Sequence, residues 1–190
     1  METPEKFAKD VERANYYEMF LAKQILKNND FRTNETGVLV DRRKDVDYQQ
    51  RDIDFTIEWG FPTKRTFSIE AKIDFTSLPN FFFEIGRTTG TLGAIMATEA
   101  DEIWYYFVET KKLYRFSTKE LKEYLTKTLN ELKEIDERKG KQEGMLPGEL
   151  EKLTWYKPAT GKTNSIGLAI PIESVIKDLC VVIDDYGVKT

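Results

Sequence analysis

The 190-residue chain contains no histidine. That removes Ser-His-Asp and Cys-His catalysis, histidine-ligated zinc and every hydrolytic site built on an imidazole base. Any metal ion held by such a chain has oxygen ligands, which favours magnesium or manganese over zinc or copper. Cysteine is almost absent as well. Cys180 alone excludes an internal disulfide framework and fits a reducing compartment. Its apolar setting, Asp178-Leu179-Cys180-Val181-Val182, predicts a buried packing residue and not a nucleophile. No apolar run approaches the roughly 20 residues that cross a bilayer. The opening Met1-Glu2-Thr3-Pro4-Glu5-Lys6 lacks a basic region leading into an apolar stretch, so no signal peptide is expected. The expected location is the cytoplasm, without membrane contact.

A third of the residues are charged and 40% are hydrophobic, the balance of an ordinary globular protein. The length suits one domain over residues 1–190, with 117–190 as a C-terminal helical and strand extension. The formal net charge of -4 gives no bulk attraction for nucleic acid. Phosphate contacts would have to come from local basic strings. Arg42-Arg43-Lys44, Lys64-Arg65 and Lys111-Lys112 are the candidates, and a solvated loop is the commoner reading of each.

Thr3-Pro4-Glu5-Lys6 reads as a helix start, with proline at the first helical position. Phe7, Val11, Ala14, Tyr17 or Glu18, Leu21 and Ile25 then recur at helical spacing until Asn28-Asn29-Asp30. A short strand is expected at 37–40, a charged loop at 41–47 and a turn-rich link at 59–64. The run Phe81-Phe82-Phe83-Glu84-Ile85-Gly86 predicts a third strand and 94–98 a short helix. Residues 102–108 and 113–116 predict a hairpin. Ser117-Thr118-Lys119-Glu120 resembles a capping box opening a long helix striped by Leu121, Leu125, Leu129, Leu132 and Ile135. An exposed connection at 137–151, a strand at 165–170, a helix at 173–179 and a short apolar end follow. The order predicts an α/β fold with a central mixed sheet of four to five strands flanked by helices.

Two segments alternate apolar and polar residues as half-buried strands do: Arg51-Asp52-Ile53-Asp54-Phe55 and Phe67-Ser68-Ile69-Glu70-Ala71-Lys72. Successive strand side chains point to opposite faces, so Asp54 stands opposite Ile53 and Phe55, and Glu70 shares a face with Lys72. If these strands pair, two carboxylates and an ammonium converge on one patch, able to hold a divalent cation and place a water for attack on a phosphodiester. A solvated sheet face with cross-strand ion pairs is the competing reading. Asp52 shares the Asp54 face and competes with it as ligand.

Asp54, the separated Glu70-Ala71-Lys72 and the upstream helical acid Glu18 resemble the motif of the PD-(D/E)xK nuclease superfamily, which includes Holliday junction resolvases, phage-type nucleases and restriction endonucleases. Fifteen residues separate Asp54 from Glu70, a hairpin spacing. Gln49-Gln50-Arg51-Asp52-Ile53-Asp54 is similar to a Q-x-x-G-I-D lead-in, with Asp52 in the glycine position. The resemblance spans about residues 17–108. It implies a restriction-endonuclease-like core and a magnesium- or manganese-dependent DNA endonuclease. Asp54, Glu70 and the Ala71 carbonyl would bind metal, Lys72 would assist the water, and Glu18 would be a provisional fourth member. Arg87, Lys64 and Arg65 are candidate nucleic-acid contacts, with Thr88 and Thr89 beside the first. Glu84 is expected to face the same patch or to pair with a lysine. Cutting a duplex needs two sites, so a homodimer is expected. The alternative is a catalytically silent nucleic-acid-binding or assembly protein with the same fold. Gly161-Lys162-Thr163 ends like a P-loop, but Tyr156 occupies the first glycine position.

Overall fold

The computed structural model describes residues 4–27, 37–60, 64–76, 78–141, 143–144, 146, 148–159 and 164–185. The expected link at 61–63, the helix-closing residues 28–30 and the string at 161–163 lie outside them, as do the side chains of Phe7 and Ile25. The chain divides into two units, one within residues 1–77, 98–115 and 182–190, the other within 78–97 and 116–181.

The first unit opens with α1 (Pro4–Lys27), whose first residue is the proline expected at that position. Leu21 is buried, with Tyr17, Met19 and Phe20 packed around it, whereas Val11 is exposed. Strands β1 (Val38–Asp41), β2 (Phe55–Trp59) and β3 (Arg65–Asp74) form an antiparallel meander. Between β1 and β2 lies a four-residue helix, α2 (Val46–Gln49), capped by the Asp45 carboxylate. Of the second unit's elements, β4 (Asn80–Arg87) and α3 (Ala94–Ala97) come next in the chain. Strand β5 (Glu102–Phe107) then runs parallel to β3, with Ile69 opposite Glu102 and Lys72 opposite Tyr105. Asp101 fixes that register: its carboxylate accepts from both the N–H and the hydroxyl of Ser68, each at 2.7 Å.

Strand β6 (Lys112–Ser117) follows β5, and the edge is completed from far along the chain by β9 (Val182–Asp185), antiparallel to β6. The sheet therefore has six strands, ordered β1-β2-β3-β5-β6-β9, where four to five were expected. The apolar end supplied the unexpected strand. One face carries Phe55, Ile57, Trp59, Ile69, Ala71, Trp104 and Tyr106, and Leu21 of α1 packs into it. Helix α1 thus covers the face opposite Glu70 and Lys72.

In the second unit β4 pairs antiparallel with β8 (Ser165–Pro171), which also pairs with β7 (Tyr156–Lys157). The expected third strand is therefore β4 of this three-stranded sheet and is not a neighbour of β3. Phe81 and Phe83 are fully buried and stack at 5.4 Å, while Phe82 points outward. The long helix α4 (Thr118–Gly140) starts at Ser117, whose hydroxyl accepts from the Glu120 N–H. Its buried stripe is Thr118, Leu121, Leu125, Thr128, Leu132 and Ile135. Thr128 takes the place expected for Leu129 because its hydroxyl donates to the Tyr124 carbonyl at 2.9 Å, so burial leaves no polar group unpaired. Helices α5 (Glu149–Leu153) and α6 (Ile172–Asp178) complete the unit. The Arg138 guanidinium pairs with Glu149 of α5, so part of the expected exposed connection is helical and anchored. Cys180 is exposed, contrary to expectation. It lies past the end of α6, in the link that leads to β9 (Val182–Asp185).

Gly93 meets the β4 backbone closely: a Cβ there would lie 2.4 Å from the Glu84 carbonyl oxygen and 2.7 Å from the Gly86 nitrogen. Backbone atoms cannot swing aside as a side-chain tip does. Gly93→Ala is expected to destabilise the protein by about 1–3 kcal/mol, read as a lower urea midpoint. An unchanged midpoint would mean that this approach is not needed.

Candidate functional site

Residues 42–54 wrap into a wall that delivers Asp54 to the sheet. The Ile53 N–H bonds back to the Tyr48 carbonyl and the Asp52 N–H to that of Gln49, each at 3.1 Å. Arg51 and Asp52 therefore lie in a turn and not in the strand expected at 51–55. The alternation is real as burial, since Ile53 and Phe55 are both in the core. Only from Phe55 onward is it strand. Asp52 has φ 48°, the left-handed region that aspartate tolerates better than most residues and glycine best of all. Asp54 sits one residue ahead of β2 and is gripped on both sides: its N–H donates to Ile69 at 2.9 Å and its carbonyl accepts from Arg42 at 2.8 Å.

The Asp54 side chain replaces a backbone acceptor where β2 leaves the ladder. The Ala71 N–H donates to Asp54 Oδ2 at 2.8 Å. This bond joins the aspartate to the middle of Glu70-Ala71-Lys72. Glu70 is only 4% exposed. The Lys72 ammonium lies 2.6 Å from Glu70 Oε1, with about a third of its side chain in solvent (32%). Asn15, Glu18, Arg43, Gln49, Asp52, Ile53, Asp54 and Glu70 line a single cleft of about 370 Å³. Thus Asp54, Glu70 and Lys72 come together as expected, and Glu18 reaches them from α1. Asp52 lines the same cleft and acts on Glu70 and Lys72 through its charge.

Burial beside other acids dominates the electrostatics. Desolvation pushes Glu70 up to about 8, with Lys72 pulling back and Asp54 adding to the rise. Asp54 is raised by burial, against the Ala71 N–H, Lys72 and a hydrogen bond with Glu70. Glu18 is raised by burial and by Asp54, against Arg43. Burial opposes charge on Lys72, but Glu70, Asp54 and Asp52 overcome it and hold its pKa above the usual lysine value.

Sequence reasoning missed Arg43 as a member of this cleft; as one of three consecutive cations it read as a solvated loop or a candidate phosphate contact. Its guanidinium instead binds Asp41, Asn15 and Glu18. Arg42 is engaged likewise, by Glu58, Asp45 and Thr56. Gln49 bonds the Arg43 carbonyl and also faces the cleft. Lys64 and Arg65 lie at the other end of the β2–β3 pair, Arg65 opposite Trp59, roughly 16 Å along the strand from Glu70. Arg87 belongs to the second unit and pairs with Glu84 at 2.9 Å. Glu84 also accepts from Ser165 at 3.0 Å, so its partners among the described residues are an arginine and a serine of its own sheet, not a lysine.

Among the described residues no three Asp, Glu, Cys or His side chains form a ready metal cluster. The cleft nevertheless suits a hard cation in its chemistry. It offers only oxygen ligands, and it holds two acids together in a place that raises the pKa of both. No family model, no curated protein and no solved structure matches the chain.

The raised acids set a stability trend in the metal-free protein. An acid whose folded pKa lies above its unfolded value stabilises fully below the unfolded value, and that contribution is lost as pH rises through the folded value. For Glu70 the window runs from the usual 4.5 to about 8. The melting temperature of the metal-free protein is expected to fall between about pH 4.5 and about pH 8, and Glu70→Gln to flatten that slope. A wild-type profile as flat as the variant's would contradict the buried-acid reading.

Proposed function

We propose that the protein is a metal-dependent endonuclease of the PD-(D/E)xK type, hydrolysing DNA phosphodiester bonds with magnesium or manganese. One observation carries this reading: the Asp54 carboxylate is bonded to the Ala71 N–H and shares a cleft with the buried Glu70, whose own carboxylate holds the Lys72 ammonium. A merely solvated sheet face gains nothing from acids held out of water beside one another.

Further features support it. Asp54 stands one residue ahead of one strand and the E-x-K lies within the next. The β1-β2-β3 meander, the parallel β3–β5 pair and α1 on the far face agree with a restriction-endonuclease-like core. Asp52, in the glycine position of the Q-x-x-G-I-D string, has the positive φ that glycine adopts most readily.

Asp54, Glu70 and the Ala71 carbonyl are the oxygens that would hold the ion, which when bound supplies charge neutralisation at phosphate and a more acidic water. The Ala71 N–H fixes Asp54 Oδ2 and orients the carboxylate toward the cleft. Lys72, 2.6 Å from Glu70, would orient or deprotonate the water or stabilise charge developing on phosphate. A second copy of the chain would supply the second cut of a duplex.

The test is plasmid cleavage with magnesium and manganese, alongside branched, single-stranded and RNA substrates. Lys72→Ala and Asp54→Asn are each expected to lower the rate about 100-fold or more. Asp52→Gly should retain most activity, because it relieves the strained φ and leaves both proposed ligands in place. Magnesium should raise the melting temperature of the wild type and not of Glu70→Gln. Absence of metal-dependent cleavage of every substrate would refute the enzyme and favour a silent binding protein.

A further inference from the structure

Arg43 occupies the junction between α1, the end of β1 and the cleft, and among the described residues its guanidinium donates to acceptors on three side chains. Nε and Nη2 bind the Asp41 carboxylate at 3.0 and 2.8 Å. Nη1 donates to Asn15 Oδ1 and to Glu18 Oε2, both at 2.9 Å. The cation also lies 5.1 Å from the ring of Phe55, the residue after Asp54. Asp41 closes the fork on the solvent side, and its own pKa is lowered by that bond.

This arrangement treats the two oxygens of Glu18 differently. Oε2 is held by Arg43, whereas Oε1 has no hydrogen-bond partner among the described residues, and Glu18 lines the cleft with Asp54 and Glu70. Helix α1 carries Glu18 on a long side chain with several rotatable bonds, next to an acid that repels it. Left alone, such a carboxylate would turn away from Asp54. The guanidinium fork removes that freedom, because a planar bidentate grip on Asp41 leaves Nη1 one direction in which to point.

We propose that Arg43 is a positioning residue that fixes Glu18 at the cleft and presents its remaining oxygen to the reaction, and that it does not itself grip substrate phosphate. The inference rests on the nuclease reading above. A phosphate would have to displace Asp41 or Glu18 from a fork whose donors are already engaged. Lysine at this position would offer one point charge and lose the simultaneous hold on Asp41, Asn15 and Glu18.

The experiment is a mutant cycle in steady-state plasmid cleavage with manganese, using wild type, Arg43→Ala, Arg43→Lys, Glu18→Gln and the Glu18→Gln/Arg43→Ala double variant, with circular-dichroism melts of each. Arg43→Ala should lower kcat about 10- to 100-fold, the loss typical of removing a residue that orients a ligand. Its KM for DNA should stay within about twofold, as expected when ground-state binding is untouched. Arg43→Lys should recover part of kcat. In the Glu18→Gln background the Arg43 substitution should cost nothing further. If Arg43→Ala melts below the assay temperature, Arg43→Lys with and without Glu18→Gln makes the same comparison. Three outcomes in an active wild type overturn the inference alone: unchanged kcat, a raised KM with kcat intact, or an equal loss in both backgrounds. A wild type that cleaves nothing overturns the nuclease reading and the inference with it.

Discussion

The hydrogen bond from the Ala71 N–H to Asp54 Oδ2 is the interaction on which the cleft depends. An antiparallel ladder would put a backbone carbonyl there, but the chain turns away at residues 51–53 and a carboxylate takes its place. A central strand cannot leave an N–H unpaired in the interior without a cost of about 1–3 kcal/mol. Folding of β3 therefore requires an acceptor at position 54, and the chemistry of the cleft inherits a fixed carboxylate. One bond thus satisfies the sheet and aims the acid.

What surrounds that bond is a contest between burial and charge. Glu70, Asp54 and Glu18 are acids that their surroundings make weaker, while the cation Lys72 is favoured by Glu70 and Asp54 and the cation Arg43 by Asp41 and Glu18. Both cations end on carboxylates, yet they serve opposite ends of the cleft. Lys72 stands on the strand beside Glu70, and Arg43 stands at the wall beside Glu18. The acids between them are held in place by a backbone donor and two ammonium or guanidinium groups, so their geometry does not rely on solvent.

Much of this was legible in the sequence wherever side-chain period and chemistry coincided. The E-x-K segment alternates because β3 alternates, and the capping string before α4 matches the observed hydroxyl–amide bond. Reading failed where a polar residue does an apolar residue's work or a loop mimics a period. Thr128 lies in the helix stripe because its hydroxyl is satisfied within the helix, which a count of leucines cannot register. Arg51 and Asp52 alternate with their neighbours by chance, since their backbone bonds run back to Tyr48 and Gln49 and make a turn. Strand β4 looks as apolar as any partner of β3, and nothing local tells which sheet it joins. Arg43 looked like its neighbours Arg42 and Lys44 because its role depends on Asn15 and Glu18, which lie 28 and 25 residues away along the chain.

The edge strand β9 gives the six-stranded sheet a particular history during synthesis. Strands β1 to β6 leave the ribosome before the segment 118–181, which belongs to the other unit, and β9 follows only after it. Until residues 182–185 emerge, β6 presents an open row of backbone donors and acceptors, the kind of edge that recruits foreign strands. The pairing that covers it joins residues some 70 positions apart, such as Leu113 and Asp184, and closure over that length is slow compared with local hairpins. Completion of the sheet that carries the cleft therefore waits for residues 182–185, and the segment made in between has time to fold first.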